Sequence, residues 1–204
     1  MRQMKSVAAK TPEPAAPGVR SARERLLAAA SDLFYRRGIR SVGIDEIIVA
    51  ADVAKMSLYR SFPSKDELVA AYLRERDRLY WEWWESVVTR HPGAPREQFS
   101  ALFRALAKRT TRPDYRGCPF TNAATEFPEP DHPGRAVAVA NKRELWRRLR
   151  DLVRTIGVRN PESLADQLLL LFEGAYSSAQ TCGPSGPAHR VAPAAEALLA
   201  AALA

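Results

Sequence analysis

Apolar residues recur at helical spacing along most of this chain, and this periodicity excludes folds built mainly from strands. Residues 22–37, for example, place Leu26, Ala30 and Leu33 three or four positions apart on one side of a helix. Proline and glycine interrupt the pattern at intervals, because neither residue continues a helix well. Strand-like alternation nowhere extends beyond a few residues, and no internal repeat is visible. The sequence therefore predicts an all-α protein.

The breaks and the capping residues predict where the helices begin and end. Gly38 is well placed to end the first helix in a left-handed conformation, while Ser41 and Ser64 are candidate N-caps of the second and fourth helices. Residues 1–20 combine proline and glycine with alanine and basic residues, which predicts a disordered basic tail. The predicted helices cover residues 22–37, 42–51, 54–62, 65–89, 95–111, 121–126, 134–156, 161–181 and 187–203.

The positive charge of the chain is concentrated near its N-terminus. The 204 residues carry a formal net charge of +8, and residues 1–65 hold 12 Lys and Arg against 6 Asp and Glu, a net charge of +6. Charge placed in this way predicts an anionic partner such as the phosphate backbone of DNA. A basic face that only meets solvent is the alternative.

The cysteines, histidines and apolar stretches of the sequence give little indication of a membrane span, a metal site or a catalytic thiol. Two cysteines, Cys118 and Cys182, suit a reduced cytoplasmic protein, and no apolar stretch approaches the roughly 20 residues of a membrane span. The three histidines are isolated, so we expect neither a metal site nor a cofactor. Cys118 with His132 would suggest a thiol nucleophile, but no third orienting group is apparent. A buried inert thiol is the preferred interpretation, and a redox switch at Cys118 is a minor one.

Two short helices joined by a tight turn, within residues 44–62, match the spacing of a DNA-binding helix-turn-helix. Helical spacing places Val53, Leu58 and Phe62 on the inward side of this unit. The outward side carries hydroxyl, cationic and thioether groups that suit a major groove, since they can pair with guanine, phosphate or a thymine methyl. These outward residues are Lys55, Met56, Ser57, Tyr59 and Arg60.

The run GIDEIIVAADVAKMSLYRSFPSKDEL resembles the DNA-binding signature of the TetR/AcrR family of transcriptional regulators. The matching residues are Ala51, Val53, Leu58, Tyr59, Phe62, Lys65 and Leu68. With the upstream residues 26–38, the resemblance covers about residues 22–70. Two positions depart from the pattern: Asp52 replaces the usual turn glycine, and Ala54 replaces the usual serine cap. Asp tolerates a left-handed conformation, but Ala cannot cap the reading helix.

The resemblance implies a role for each matching residue and a division into two domains. Lys55, Met56, Ser57, Tyr59 and Arg60 would face the groove, and Ser41, Tyr59 and Lys65 would hold phosphates. Lys65 also begins a helix, where backbone amides favour a phosphate. A helix-turn-helix domain at residues 21–66 would precede a ligand-binding and dimerisation domain at residues 67–204. The implied function is that of a non-enzymatic repressor, which releases a palindromic operator when a hydrophobic small molecule binds.

The second domain offers aromatic and polar side chains for such a cavity. Residues 116–133 resemble the C-terminal domain of a TetR subgroup of the LmrA/YxaF type, which implies a hydrophobic effector. Any single aromatic residue is more often core than cavity wall, and at least one indole of residues 81–84 should meet a cavity, an interface or solvent. The candidate ligand-binding residues are Trp81, Trp84, Phe103, Phe120, Thr121, Asn122, Glu126, Trp146, Phe172 and Tyr176.

Apolar stripes on the last two helices, near residues 161–181 and 187–203, predict a homodimer that pairs them as a four-helix bundle. One stripe contains Leu164, Leu168, Leu171, Ala175 and Ser178, and the other contains Val191, Ala194, Ala195, Leu198, Leu199 and Ala202. Packing of both stripes inside one subunit is the alternative. A dimer is also expected because one short reading helix contacts too few bases for genomic specificity.

Two other classes of protein remain open at this point. A nonspecific basic nucleoid protein would bind random DNA as tightly as any operator, with a steep salt dependence. An enzyme with a basic surface would need a convergent catalytic set, and the sequence shows none. Activation instead of repression is a variation within the regulator hypothesis.

Overall fold

The computed structural model describes residues 20–204, so the predicted tail lies almost wholly outside the described residues. The described chain is all-helical, as predicted, and contains no strand. Its α-helices are α1 (Ala22–Arg37), α2 (Ile44–Ala51), α3 (Lys55–Ser61), α4 (Lys65–Val88), α5 (Pro95–Thr110), α6 (Pro119–Glu126), α7 (Pro133–Ile156), α8 (Pro161–Cys182) and α9 (Val191–Leu203). A short 3₁₀ turn, Pro187–Arg190, precedes α9, where a single continuous helix was predicted. No helix of residues 20–204 is both long and apolar enough to cross a membrane.

The predicted N-caps are confirmed at one site and wrong at another. The Ser64 hydroxyl accepts a hydrogen bond from the Glu67 amide and caps α4, as expected. Ser41 does not cap α2, which begins at Ile44 after Gly43. Its hydroxyl instead donates to the carbonyl oxygens of Arg37 and Gly38, at 2.7 and 3.0 Å. The reason is local, since the turn that ends α1 leaves free carbonyl groups within reach of this serine.

Helices α1, α2 and α3 pack around one small apolar core. Leu26 and Phe34 of α1, Ile47 of α2, and Leu58 and Phe62 at α3 are all buried there. The inward side that spacing assigned to α3 is therefore confirmed for Leu58 and Phe62.

The turn between α2 and α3 depends on a left-handed residue. Asp52 takes φ 51° and ψ 57°, and it is the one non-glycine residue with positive φ in the described chain. Asp accepts this conformation at less cost than most residues, so the missing glycine does not alter the turn. Ala54 makes no side-chain cap at the start of α3, as expected for alanine.

Helix α4 joins the small domain to the larger bundle. Its N-terminal part packs against α1, where the rings of Phe34 and Tyr72 meet edge to face at 5.6 Å. Its C-terminal part enters the core of helices α4 to α9, which includes Phe99, Phe103 and Phe172. One continuous helix of 24 residues therefore packs against both groups of helices, which share one apolar cluster.

The apolar stripes predicted to form the dimer lie mainly inside the subunit. Leu164, Leu168 and Ala175 of α8 are buried, as are Ala195 and Leu199 of α9. They are buried because α8 and α9 pack against each other and against α5. The outward side of α8 is a different set, which includes Leu170, Gly174 and Ser177.

Replacing Leu58 with alanine should destabilise the small domain. The side chain is fully buried between α1, α2 and α3, so Leu58→Ala should lower the free energy of unfolding by about 2–5 kcal/mol. Urea denaturation followed by circular dichroism measures the change. Met56→Ala on the exposed side of the same helix is the control, with a change within about 0.5 kcal/mol. Equal losses for the two variants would contradict the assigned faces.

Candidate DNA-binding surface and cavities

The outward side of α3 presents an unusual combination of exposed apolar and cationic side chains. Met56 is 69% exposed and Tyr59 47% exposed, although both are large apolar groups. Lys55 and Arg60 are exposed beside them, and Ser57 is half-buried at the edge. Met56, Tyr59 and Arg60 share one face because they lie three or four positions apart, and Lys55 and Ser57 flank it. Leu58 anchors the opposite face. The arrangement can enter a groove that offers both phosphates and thymine methyl groups.

The cations of this surface are held by weak contacts that DNA can replace. Lys55 Nζ lies 3.0 Å from Asp45 Oδ1, and this hydrogen bond raises the pKa of Lys55. Both side chains are mostly exposed, so the pair contributes little to stability. Among residues 20–204, Arg60 donates only to the Ser57 hydroxyl, at 3.3 Å. A phosphate or a guanine edge would therefore meet little competition for these two groups.

Ser41 and Lys65 belong to the small domain but do not lie on the outward face of α3. Lys65 Nζ donates to the Val42 carbonyl at 2.6 Å and lies above the Phe34 ring, at 5.9 Å from its centre. Burial is the main reason that the pKa of Lys65 is lowered, and the charge of Glu126 opposes it. Lys65 thus braces the loop before α2, which the sequence alone did not indicate.

An apolar groove of about 740 Å³ lies between α6, α7 and α8. Three of the predicted ligand-binding residues, Phe120, Thr121 and Trp146, line it. At its polar end, Thr121 and Lys142 both bond to the carboxylate of Glu173, at 2.8 and 2.5 Å. The basic rim consists of Arg143, Arg147 and Arg150.

A second cavity of about 540 Å³ lies where α1 meets α6 and α8. Four of the predicted ligand-binding residues line it, and Thr121 belongs to both cavities. Asn122 there donates to the Arg116 carbonyl at 3.0 Å. The four residues are Thr121, Asn122, Glu126 and Tyr176.

The other four predicted ligand-binding residues line neither cavity. Trp84, Phe103 and Phe172 are buried in the core of the larger bundle. Trp81 is half-buried, with its indole nitrogen donating to Asp77 at 2.9 Å and with Arg148 stacked over its ring. These aromatic residues therefore belong to the hydrophobic core or pack against it, as most aromatic residues do. We therefore leave them out of the proposed effector site.

The two domains are joined by hydrogen bonds between α1 and the α6 region. Both carboxylate oxygens of Glu126 accept backbone amides from the end of α1, those of Ile39 at 3.0 Å and Arg40 at 2.7 Å. Tyr35 of α1 donates to the Gly117 carbonyl at 3.2 Å and accepts the Arg116 amide at 3.0 Å. The C-terminus of α6 therefore contacts the end of α1, and residues 116–117, just before α6, contact Tyr35.

The thiol of Cys118 has a different partner from the histidine that spacing suggested. Cys118 Sγ lies 3.2 Å from Lys142 Nζ. His132 instead caps α7, stacks on Phe127 at 3.9 Å between ring centres and lies 3.5 Å from an oxygen of Asp66. The sequence missed Lys142 because it is 24 residues away, on another helix.

These helices and this exposed face define a helix-turn-helix DNA-binding protein. Residues 26–72 match the family described as bacterial regulatory proteins, tetR family. A solved TetR-family transcriptional regulator from Streptomyces coelicolor is 31% identical, with a TM-score of 0.84 over 89% of this chain and 95% of that one. A solved structure of a Streptomyces avermitilis protein that has been assigned to the TetR transcriptional regulators is 35% identical. Its TM-score is 0.81, over 90% of this chain and 98% of that one. The HTH-type transcriptional regulator YjdC of Escherichia coli is 26% identical over 76% of this chain and 81% of its own.

The chain therefore belongs to the TetR family of transcriptional regulators, whose members are DNA-binding proteins rather than enzymes.

Removing the Glu126 carboxylate should weaken the junction between the domains. Glu126→Ala leaves the Ile39 and Arg40 amides without their acceptors, so the free energy of unfolding should fall by about 1–2 kcal/mol. Thermal unfolding measures the loss. Thr125→Ala is the control, because the Thr125 hydroxyl donates to the Thr121 carbonyl of its own helix. If the two variants unfold at the same temperature, the junction does not contribute to stability.

Proposed function

We propose that this protein is a sequence-specific transcriptional repressor that binds a palindromic operator as a homodimer and releases it when a hydrophobic small molecule binds. The exposed face of α3 carries the proposal. Burial of Leu58 and Phe62 fixes the orientation of the helix, and the opposite face leaves Met56 and Tyr59 uncovered beside two cations. Such a face suits DNA better than water, since apolar groups gain from contact with thymine methyls.

Each residue of the surface has a role that follows from its chemistry and position. Arg60 and Lys55 pair with a guanine edge or a phosphate, and Met56 contacts a thymine methyl. Tyr59 and Ser57 offer hydroxyl groups to phosphates.

Ser41 and Lys65 are proposed phosphate contacts at the margin of the surface. Ser41 is exposed near the start of α2, and its hydroxyl oxygen remains able to accept a bond while its proton is held by α1. The ammonium of Lys65 uses one N–H for the Val42 carbonyl, and Lys65 is also the first residue of α4. A helix N-terminus with an adjacent ammonium favours an anion.

A homodimer would form through the outward faces of α8 and α9. Leu170 of α8 is 72% exposed, and Gly174 and Ser177, on the same side of the helix, allow close approach of a second helix. A side-chain carbon added at Gly174 would touch nothing in the subunit, so the space above it is open. Dimer symmetry would place two α3 helices in successive major grooves, about 34 Å apart.

The α6–α7–α8 groove is the proposed effector site. Its walls are largely apolar, and Phe120 and Ala124 on α6 connect it to the helix whose Glu126 holds the end of α1. An effector that displaces α6 would alter this junction and the position of α4. It can release DNA only if it binds the displaced state more tightly than the DNA-bound state. The LmrA/YxaF-like sequence of residues 116–133 supports the choice of a hydrophobic effector.

Selection of genomic fragments by the purified protein, at near-physiological salt, tests operator recognition. We expect enrichment of a palindrome, and Arg60→Ala should weaken binding to it by about 1–3 kcal/mol if Arg60 reads a base. Arg104→Ala, an exposed arginine on α5, removes the same charge far from α3 and should bind as the wild type does. Tight, salt-sensitive binding without any enriched sequence would instead identify a nonspecific DNA-binding protein.

A large side chain inside the α6–α7–α8 groove should abolish the response to effector without affecting operator binding. Ala124→Trp places an indole inside the groove, so the variant should bind the operator normally but resist apolar compounds that release the wild type. Ala136→Trp is the control, since Ala136 is exposed on α7 and does not line the groove. A panel of apolar compounds, scored by fluorescence anisotropy of labelled operator, supplies the readout. Normal release of Ala124→Trp would rule out the groove as the effector site.

A further inference from the structure

The charged groups that line the α6–α7–α8 groove are strongly unequal in sign. Four cations line the groove against one carboxylate, that of Glu173. The four cations are Lys142, Arg143, Arg147 and Arg150. The junction cavity between α1, α6 and α8 differs, since two arginines and two glutamates line it. The excess of positive charge therefore distinguishes the groove from the other large cavity of the domain.

The inner end of the groove holds a cation that already has a counter-ion. Lys142 Nζ lies 2.5 Å from Glu173 Oε1, and the Thr121 hydroxyl donates to the other oxygen of Glu173 at 2.8 Å. Both oxygens of the only lining carboxylate thus have partners. A cationic ligand would have to compete with Lys142 for Glu173, and it would meet three arginines at the rim. The groove is unfavourable for a cation.

Arg143 differs from the other two arginines of the rim. Arg147 and Arg150 pair with acids of their own helix, at 2.7 Å from Glu144 and 2.8 Å from Asp151. Arg143 is exposed, and it forms no ion pair within residues 20–204. No acid lies three or four positions from it on α7, and Arg147, four positions away, repels it because like charges one turn apart destabilise a helix.

The position of Arg143 places its charge beside the apolar wall. Val139 precedes it by four positions and Trp146 follows it by three, and all three residues line the groove. Phe120 and Leu169 provide further apolar surface, and the volume of about 740 Å³ suits a molecule of drug size. A ligand can therefore bury an apolar body and reach this guanidinium at the same time.

We propose that the groove binds an apolar molecule with one carboxylate group, and that Arg143 determines this preference for negative charge. The guanidinium donates two parallel N–H bonds to the carboxylate oxygens, while the apolar body lies against Phe120, Val139 and Leu169. The bound anion also reduces the repulsion between Arg143 and Arg147. The role of this ligand as an effector rests on the proposed function as a repressor, but its binding to the groove does not.

Isothermal titration calorimetry with decanoate and decylammonium tests the charge preference, because the two compounds share one tail and differ in the sign of the head group. The wild type should bind decanoate at least about tenfold more tightly than decylammonium. Arg143→Gln should weaken decanoate binding by about fivefold, and Arg143→Lys should recover part of the loss, since an ammonium keeps the charge but not the two parallel bonds. Arg104→Gln, which removes an exposed charge on α5, is the matched control and should bind as the wild type does.

Four results of this titration would overturn the proposal. Decylammonium could bind as tightly as decanoate, or decanoate could bind folded Arg143→Gln as tightly as it binds the wild type. Ala124→Trp, which fills the groove, could bind decanoate normally, and this would place the ligand elsewhere. The wild type could also fail to bind decanoate up to about 1 mM.

The effector role is tested by fluorescence anisotropy of the selected operator in the presence of the same two compounds. Decanoate should release the wild type, Arg143→Gln should need about fivefold more of it, and decylammonium should release neither protein. Binding of decanoate in the groove without any change in operator affinity would overturn the effector role. If the protein selects no operator, the proposed function fails, while the calorimetry still decides which charge the groove prefers.

Discussion

The carboxylate of Glu126 connects the two parts of this molecule through hydrogen bonds to backbone groups alone. Its oxygens hold the Ile39 and Arg40 amides at the end of α1, where a helix leaves polar groups without internal partners. The Ile39 and Arg40 amides belong to the backbone, so they cannot move away independently of the chain as side-chain donors could. The position of α6 therefore depends on the position of the DNA-binding domain. The groove and the junction cavity both use α6 as a wall. Any molecule that moves α6 therefore acts on this link.

The sequence predicted best what depends on neighbouring residues. Helical spacing alone separated Leu58 and Phe62 from the exposed face of α3, and Ser64 capped α4 as expected, since both depend on contacts within one turn. Glu126 lines the second cavity, but the amides that it binds lie 86 and 87 residues away, and no local pattern in the sequence reports a contact of that range. The pairing of Cys118 with Lys142 was missed for the same reason. Phe103 and Phe172 were ambiguous because core and cavity walls use the same aromatic residues.

Helix α7 supplies one wall of the α6–α7–α8 groove. Glu144 accepts bonds from Arg147 and Arg148, one turn away, and the bond from Arg147 is the main cause that lowers its pKa to about 2. Arg150 bonds to Asp151 and lies over the Trp146 ring, at 5.1 Å from its centre. These pairs are partly exposed and add little stability. They pair two of the rim cations, Arg147 and Arg150, with acidic groups of the same helix.

The face of α3 that would read DNA carries almost none of the packing that holds the domain together. Leu58 and Phe62 supply the packing, while Met56, Tyr59 and Arg60 project outward. The outward positions can therefore accept substitutions at little cost to folding. Successive substitutions on this face can change the operator that the protein recognises, while each variant along the way still folds. That separation lets one scaffold serve many promoters over evolutionary time.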